Sequence, residues 1–338
     1  MQIKEDFYLA PFNTFGLEIL ARKLSIITSV NNLNELFFEG QLTNNKVLVL
    51  SKGSNVLFTS HFDGLVLLNK ILGKEIIEEN EESVLLKVSS GEFWPSLVEY
   101  TIDKNWGGLE NMTDIPGKVG AAPVQNIGAY GSEIKDVLIS LEAFDLVSGK
   151  VITFTNAECN FGYRTSIFKT SHKNRYFITS ITVKLSKNPK VNLNYKPLSE
   201  AFSGKNTNDV SIKEVSDKIA EIRRLKIPNP DNIKNAGSFF KNAIINQLEF
   251  NELKANYRLI PSYQISKNQY KLPAAWLIEQ CGWKGKKIGN VGTYDKQALI
   301  IINFGKATGS EIMRFANSIQ QSVFDKFGIN LELEVNVI

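Results

Sequence analysis

The stretch Ile115-Pro-Gly-Lys-Val-Gly-Ala-Ala-Pro-Val-Gln-Asn-Ile-Gly-Ala-Tyr-Gly131 is the most distinctive part of this 338-residue chain. It contains four glycines, two prolines and a single long charged side chain, Lys118. Glycine allows positive φ and a close approach of the backbone to a ligand, and proline presets a turn. Successive main-chain amides in such turns can form an anion-binding concavity. A surface loop is the simpler interpretation, but the length and small residues of this run favour backbone packed against a bound group.

A second loop of small residues, Ser51–Asn55, lies between two short apolar runs. Val47–Leu50 predicts a buried strand, and Val56–Phe58 predicts another. The loop lacks the Gly-Lys-Ser/Thr ending of a nucleotide-binding P-loop and the Gly-x-Gly-x-x-Gly fingerprint of dinucleotide-binding folds. Taken alone, it indicates no more than an ordinary hairpin turn.

Composition places the chain among ordinary globular proteins. Hydrophobic residues make up 43% of it and charged residues 22%, and its length is sufficient for two or three domains with sizeable cores. The net charge of +4 is mild and is compatible with anionic small molecules. No basic tract with interleaved aromatic residues is present, so nucleic acid is not an expected partner.

Cysteine and histidine are scarce. Cys159 and Cys281 form no disulfide framework, and His61 and His172 are too few and too far apart for a catalytic zinc site. We therefore expect no metal. The amino terminus lacks the apolar run of a signal peptide, and no apolar stretch reaches membrane-spanning length. These features predict a cytoplasmic protein with no membrane association.

Apolar periodicity predicts a β-rich first part and a more helical second part. Predicted helices cover approximately residues 31–38, 93–105, 212–226, 273–281 and 309–327, and predicted strands cover 47–50, 56–58, 65–68, 84–88, 137–146, 151–154, 176–185, 297–303 and 331–337. Capping boxes begin the helices after Ser211 and Thr308, and 186–208 is a polar connection. The order of elements lacks regular strand–helix alternation, which predicts an α+β fold.

Four motifs occur in order along the chain, and together they carry a family resemblance. They are Gly53–Leu57, the pair Pro116-Gly117 continuing to Gln125–Gly131, Phe161–Arg164, and Asn235–Asn242. The chain resembles the UDP-N-acetylenolpyruvoylglucosamine reductases, the flavoenzymes of peptidoglycan precursor synthesis. The resemblance extends from Asn13–Gly16 to Glu332–Val335, which is nearly the whole chain.

The resemblance implies a fold and a domain organisation. We expect an FAD-binding domain of the vanillyl-alcohol-oxidase (PCMH) type over residues 17–188, with two lobes of about 1–70 and 71–188. An α/β substrate-binding domain over residues 205–338 should follow, its last strand returning to the active site. We also expect a monomer.

The reaction implied by the resemblance is a conjugate reduction. NADPH would reduce UDP-N-acetylglucosamine enolpyruvate to UDP-N-acetylmuramate, FAD would carry the hydride, and NADPH and substrate would take turns at one site. Hydride adds to the terminal vinyl carbon, and negative charge builds on the neighbouring carbon and its carboxylate. The protein must stabilise that charge and then protonate the carbon.

By resemblance, Arg164 and Glu334 stabilise the charge and Ser238 donates the proton. The guanidinium fork of arginine suits a carboxylate. No Gly-x-Ser-x-Gly motif surrounds Ser238, which disfavours a hydrolase nucleophile. From residue type alone, a surface arginine, a turn serine and a solvated edge-strand acid are the simpler interpretations.

The resemblance also assigns binding roles. The predicted FAD-binding residues are Gly53, Ser54, Asn55, Val56, Pro116, Gly117, Gly120, Gln125, Asn126, Gly128, Ala129 and Tyr130. The predicted substrate-binding residues are Tyr163, Tyr195, Arg223, Lys226 and Asn242, of which Tyr195 would close over the substrate. One departure is Asn336, where relatives often carry a basic residue.

Two alternatives remain open from the sequence. An oxidase on the same flavin domain would use oxygen and would not need Ser238. A non-catalytic homologue would bind flavin or a UDP-sugar without turnover. The visible colour of the purified protein and its response to NADPH distinguish these possibilities.

Overall fold

The structure, a computed structural model, describes residues 2–338 and contains two compact units. The first unit comprises the described residues up to Phe7, Leu20–Lys52 and Phe62–Arg223, and the second comprises Tyr8–Ile19, Gly53–His61 and Arg224–Ile338. Each unit is assembled from separated stretches of the chain. The domain boundaries expected from the sequence, 17–188 and 205–338, stay a prediction.

Twenty strands, seven α-helices and seven short 3-10 helices make up the regular structure of the described residues. The strands of the amino-terminal part are β1 (Ile3–Tyr8), β2 (Leu20–Ile27), β3 (Val47–Leu50), β4 (Val56–Leu57), β5 (Phe62–Asn69), β6 (Lys74–Glu79), β7 (Ser83–Ser89), β8 (Gly128–Ala129), β9 (Ser132–Glu133), β10 (Leu138–Asp145), β11 (Val151–Thr155) and β12 (Tyr176–Ser186). The remaining strands are β13 (Lys234–Ser238), β14 (Ala243–Asn246), β15 (Tyr263–Ser266), β16 (Gln269–Leu272), β17 (Lys287–Ile288), β18 (Val291–Thr293), β19 (Ile300–Asn303) and β20 (Asn336–Val337). The helices are α1 (Val30–Phe38), α2 (Trp94–Asp103), α3 (Lys196–Ala201), α4 (Ile212–Lys226), α5 (Gln247–Asn256), α6 (Ala274–Gln280) and α7 (Gly309–Phe327).

The first unit holds two larger sheets and the two-stranded hairpin of β8 and β9. A four-stranded sheet has the order β1-β2-β5-β3, in which β2, β5 and β3 run parallel. A five-stranded antiparallel sheet has the order β11-β10-β12-β7-β6. Leu33 and Leu36 of α1, both fully buried, pack in one core with Phe144 of β10 and Phe177 of β12. This shared core joins the two sheets.

The second unit contains a four-stranded sheet of order β13-β19-β18-β17 and a three-stranded sheet of order β14-β16-β15. Helix α7 begins at a capping box, in which the Glu311 amide donates to Thr308 Oγ1 and the Thr308 amide donates to Glu311 Oε2. It ends at Gly328, whose φ of +69° is left-handed. The predicted helix over 309–327 is therefore confirmed.

The hairpin interpretation of residues 47–58 is wrong. Strand β3 joins the parallel sheet beside β5, whereas β4 pairs with β20 at the end of the chain. At Gly53 the loop lies against another backbone segment, because a Cβ there would be 2.0 Å from the carbonyl oxygen of Phe12. The loop therefore packs on the Phe12 segment and does not close a two-stranded hairpin.

Some strands were not predicted from the sequence. All six residues of β6 are exposed, so the apolar alternation that predicts a strand is missing. The predicted final strand over 331–337 is reduced to β20 and a single bridge between Phe240 and Leu333. Within residues 2–338, no helix has the length and apolar character needed to cross a bilayer.

Candidate active site

The glycine-rich stretch lies in the first unit as a series of tight turns. Two turns of 3-10 helix, Val119–Ala121 and Pro123–Gln125, precede the short hairpin of β8 and β9. The Gly120 amide donates to Ser90 O at 2.9 Å, and the Ile127 amide donates to Ala122 O at 3.0 Å. These amides are used within the protein, so the anion-binding concavity expected from the sequence must draw on other donors.

Asn126 has a structural role in this loop. It is fully buried, with φ at +47°. Its Nδ2 donates to Glu133 Oε2 and to Gly162 O, both at 3.0 Å, and its Oδ1 accepts from the Lys135 amide. These bonds tie the glycine-rich stretch to the segment that carries Arg164.

Arg164 lies within a narrow turn closed by the bridge between Gly162 and Thr165, and its own φ is +54°. Its guanidinium donates to Asn126 O at 3.4 Å and also to Gly128 O. The same group lies over the Tyr163 ring, 5.5 Å from the centroid. The structure thus brings Tyr163, Arg164 and the glycine-rich stretch together.

A second group of predicted residues meets around Tyr130. The Tyr195 ring contacts the Tyr130 ring edge-on, with centroids 5.4 Å apart. Arg223, whose guanidinium donates to Asp114 O at 3.1 Å, lies near Tyr130. Burial raises the pKa of the Tyr130 hydroxyl. Burial also lowers the pKa of the Arg223 guanidinium, and the nearby charge of Arg164 acts in the same direction. A partly desolvated cation beside a tyrosine suits an anionic group of a ligand.

Asn111 was missed in the sequence and holds this group in place. It is 1% exposed, and its Nδ2 donates to Tyr130 O at 2.8 Å and to Asn192 O at 2.9 Å. It thereby connects the glycine-rich stretch to the segment that leads to Tyr195. The sequence carries no clear signal for this role, because Asn111 stands between the charged Glu110 and the apolar Met112.

In the second unit, the Gly53–Val56 loop is tied to the end of the chain. The Asn336 amide and its side-chain Nδ2 both donate to Asn55 O, at 3.1 and 3.0 Å. Asn55 Nδ2 in turn donates to Glu334 O at 3.3 Å. The neutral Asn336 therefore has a structural role, which is to hold the Gly53–Val56 loop against β20.

Ser238 and Glu334 are brought close by neighbouring backbone segments. The Glu334 amide donates to the carbonyl oxygen of Phe239 at 2.9 Å, directly after Ser238. The side chain of Ser238 is exposed, whereas Glu334 is half-buried. Glu332 differs from Glu334, because its side chain is 75% exposed and forms an ion pair with Lys241.

The remaining predicted residues are placed as follows. Lys226 is the exposed last residue of α4, and Asn242 accepts a hydrogen bond from the Ala274 amide at the start of α6. Asn242 therefore caps the start of α6. Among the described residues, neither Lys226 nor Asn242 forms a hydrogen bond with Ser238. In the cofactor set, Gly53, Gly117 and Gly128 are buried, Pro116 is exposed, and Ser54, Val56, Gln125 and Ala129 are half-buried.

Ser51 offers a test of whether this chain suits FAD. Its Oγ is buried and has no hydrogen-bond partner among the described residues. It follows β3 directly, at the carboxyl end of the parallel strands, where ligands bind in open parallel sheets. A buried hydroxyl without a partner is costly, and a polar cofactor would satisfy it. The residues present therefore fit a flavin nucleotide.

Two family models match the chain. Residues 229–338 match the C-terminal domain of UDP-N-acetylenolpyruvoylglucosamine reductase, and residues 27–155 match an FAD-binding domain. The order of these matches confirms the predicted α+β fold, an FAD-binding domain followed by a substrate-binding domain.

Full-length relatives carry the same enzyme name. UDP-N-acetylenolpyruvoylglucosamine reductase from Flavobacterium johnsoniae is 44% identical over 339 residues, covering 100% of both chains. The enzyme of that name from Amoebophilus asiaticus is 43% identical and also covers 100% of both. The one from Aliivibrio fischeri is 43% identical over 99% of this chain and 94% of its own.

A solved structure shares the fold. The crystal structure of UDP-N-acetylenolpyruvylglucosamine reductase from Thermus caldophilus aligns with a TM-score of 0.68 at 22% identity. The alignment covers 100% of this chain and 99% of that one. At this identity the match is evidence for the fold alone.

Proposed function

The chain belongs to the UDP-N-acetylenolpyruvoylglucosamine reductase family, and we propose that Arg164, Glu334 and Ser238 carry out the chemistry of its reaction. That reaction is the FAD-dependent reduction of UDP-N-acetyl-3-O-(1-carboxyvinyl)-glucosamine by NADPH to UDP-N-acetylmuramate, a step of peptidoglycan precursor synthesis. We further propose that the protein acts as a monomer in the cytoplasm.

Bound FAD would supply the hydride chemistry that links NADPH to the vinyl carbon of the substrate. The residues that would hold it are the Gly53–Val56 loop and the glycine-rich stretch, with the unpartnered Ser51 hydroxyl as a further polar contact. Gly53 and Gly120 pack against Phe12 O and Ser90 Cβ of the chain itself, which fixes the paths of both loops. The buried Ser51 hydroxyl is the polar contact that remains for the cofactor.

Arg164 would bind the substrate carboxylate. Hydride addition at the terminal vinyl carbon places negative charge on the neighbouring carbon and its carboxylate, and a fixed guanidinium stabilises charge of this kind. The supporting observation is that Asn126 O and Gly128 O already orient the guanidinium. A pre-oriented cation needs little reorganisation as charge develops.

Glu334 and Ser238 would complete the reduction. Ser238 would donate its hydroxyl proton to the carbon that carries the charge, and the resulting alkoxide would be reprotonated from solvent. A serine hydroxyl is a weak acid, so its position and the stabilised charge of the acceptor must favour the transfer. The exposed side chain of Ser238 and the backbone bond that brings Glu334 beside Phe239 support this assignment.

The UDP-sugar would be held by the other predicted residues. Tyr195 and Arg223 already meet at Tyr130, which supports a nucleotide or sugar subsite there. Lys226 would supply a further cation for the diphosphate. The side-chain oxygen of Asn242 already accepts a hydrogen bond from the Ala274 amide. Its side-chain nitrogen is therefore the group that would contact the substrate.

The observation that carries the proposal is the full-length identity of 44% with a named relative, together with the oriented Arg164. Separating the two half-reactions tests it. Under anaerobic conditions, NADPH should bleach the flavin band and the enolpyruvyl substrate should restore it. Recovery only on admission of oxygen would indicate an oxidase instead.

A further inference from the structure

A buried polar pair lies beneath the glycine-rich stretch in the first unit. Asn69 is the last residue of β5, and Ser90 follows β7; they are 5% and 0% exposed. Asn69 Nδ2 donates to Ser90 Oγ at 2.8 Å, and Ser90 Oγ donates to Asn69 Oδ1 at 3.2 Å. Asn69 Oδ1 also accepts from the Ile71 amide. Buried polar groups are stable only when bonded in this way.

The turn at Lys118–Gly120 is fastened to this pair and its neighbours. Lys118 Nζ donates to Asn69 O, and the Gly120 amide donates to Ser90 O at 2.9 Å. Between them, the Val119 amide donates to Glu92 O at 3.0 Å. Three successive residues of the turn are therefore bonded to the end of β5 and to the segment that follows β7.

The turn also packs directly against the Asn69–Ser90 pair, with no space left between them. A Cβ at Gly120 would be 2.6 Å from Ser90 Cβ and 3.1 Å from Asn69 Nδ2. Contacts of this length force neighbouring atoms to move. The turn is thus packed directly on Ser90 and Asn69, and its path depends on these two residues as well as on the glycine-rich stretch.

The Asn69–Ser90 pair lies at a sheet edge where a ligand is expected. Leu68 of β5 and Leu50 of β3 are partners in parallel strands, so Asn69 and Ser51 follow at the same sheet edge. Ser51 Oγ is the buried hydroxyl that lacks a partner in residues 2–338. Carboxyl ends of parallel strands are where ligands bind in open sheets. The Lys118–Gly120 turn therefore lies near a buried hydroxyl, Ser51 Oγ, that has no hydrogen-bond partner within residues 2–338.

We propose that Asn69, Ser90 and Lys118 are positioning residues that fix the Lys118–Gly120 turn and thereby set how tightly the chain holds FAD. The inference rests on the proposed function, because it takes the glycine-rich stretch to be an FAD-binding loop. A loop already ordered before binding loses less conformational freedom when the ligand arrives. Releasing the turn should therefore speed the loss of FAD.

The test measures the release of FAD from holoenzyme. The variants are Ser90→Ala, Lys118→Met and the conservative Lys118→Arg, and the control is Thr101→Val. Thr101 is equally buried and its Oγ1 donates only within α2, to Val98 O. Each holoenzyme is diluted, and the rise of flavin fluorescence gives the release rate. The melting temperature of each protein is recorded alongside.

Ser90→Ala and Lys118→Met should release FAD about tenfold faster than the unchanged protein, and Lys118→Arg within about threefold of it. Thr101→Val should release FAD at the unchanged rate even if its melting temperature falls. Unchanged release from Ser90→Ala and Lys118→Met would overturn the inference while leaving the function intact. Equal acceleration in Thr101→Val would also overturn it, as general destabilisation. An unchanged protein without FAD would refute the proposed function itself.

Discussion

Arg164 is held in an unusual backbone conformation. Its φ of +54° lies in the left-handed region, which costs a non-glycine residue roughly 1 kcal/mol or more. The bonds from its guanidinium to Asn126 O and Gly128 O hold it there. Backbone strain of this kind occurs most often at binding and catalytic sites. The motif containing Arg164 is visible in the sequence, whereas the strain and its partners are not.

Ser238→Ala tests the proton donor. Reduction of substrate by the reduced flavin should slow by roughly 10²- to 10⁴-fold, because a positioned acid contributes about that much. Reduction of the flavin by NADPH should be nearly unchanged, since it needs no proton from Ser238. Stopped-flow absorbance separates the two steps. Ser318→Ala, an exposed serine of α7, is the control, and equal loss in both half-reactions of Ser238→Ala would reject the assignment.

Glu334→Gln and Glu332→Gln form a matched pair on one backbone segment. Removal of the Glu334 charge should lower the rate of substrate reduction by roughly 10²-fold, comparable with losing one group that stabilises the transition state. Glu332 is 75% exposed on its side chain and pairs with Lys241, so Glu332→Gln should leave the rate within about twofold. Single-turnover kinetics measure both. Similar rates for the two variants would argue against Glu334.

At the scale of elements, five of the seven α-helices in residues 2–338 were predicted, whereas α3 and α5 were not. The capping box at Thr308 and Glu311 marks the start of α7, and Gly328 marks its end. Strand β6 could not be predicted, because its six residues are all exposed and follow no alternation. The partner of β4 could not be predicted either, since β20 lies about 280 residues away in sequence. Local signals specify an element, but pairing depends on the folded chain.

Gly53→Ala tests the packing that turns the chain between β3 and β4. The new Cβ would meet Phe12 O at 2.0 Å, in addition to the cost of positive φ. We expect the free energy of unfolding to fall by about 3 kcal/mol. Gly289 is the control, because its φ of +58° is similar to +63° at Gly53 and nothing lies within 4 Å of its Cβ position.

Gly289→Ala should lower the free energy of unfolding by only about 1 kcal/mol, which is the cost of positive φ without a clash. Urea unfolding monitored by tryptophan fluorescence gives both values. The explanation would be wrong if the two variants lost the same stability, because the clash with Phe12 would then contribute nothing.

At the scale of the molecule, the candidate residues divide between two units that interleave in sequence. Arg164, Tyr195 and Arg223 belong to the first unit, and Ser238 and Glu334 to the second. The resemblance named these residues in advance. Asn111, Asn69 and Ser90 were not named, because single buried polar residues carry no motif and their importance depends on the carbonyls and turns they meet.

The pH dependence of stability can be tested at Asp145. Burial raises the pKa of its carboxyl, but hydrogen bonds from Arg175, the Val147 amide and Ser148 outweigh this and leave the pKa below its usual 3.8. Ionisation therefore stabilises the folded state above pH 3.8, and this contribution is lost as pH falls through the lowered value. Asp145→Asn should unfold more easily at pH 7, by roughly 2 kcal/mol.

The stability gap between Asp145→Asn and the unchanged protein should narrow as pH falls below 3.8. Denaturant titrations between pH 3 and pH 7 measure it. Glu79→Gln removes an exposed ion pair with Lys187 and should change stability by less than about 1 kcal/mol at any of these pH values. A gap for Asp145→Asn that stays constant with pH would contradict the argument.

The most direct measurement of the central claim is an anaerobic titration of the purified protein. We expect a flavin absorption band, its loss on addition of NADPH, and its return on addition of UDP-N-acetylglucosamine enolpyruvate, with UDP-N-acetylmuramate formed in equal amount. Absence of the band, or its return only with oxygen, would contradict the assignment as an FAD-dependent reductase of this substrate.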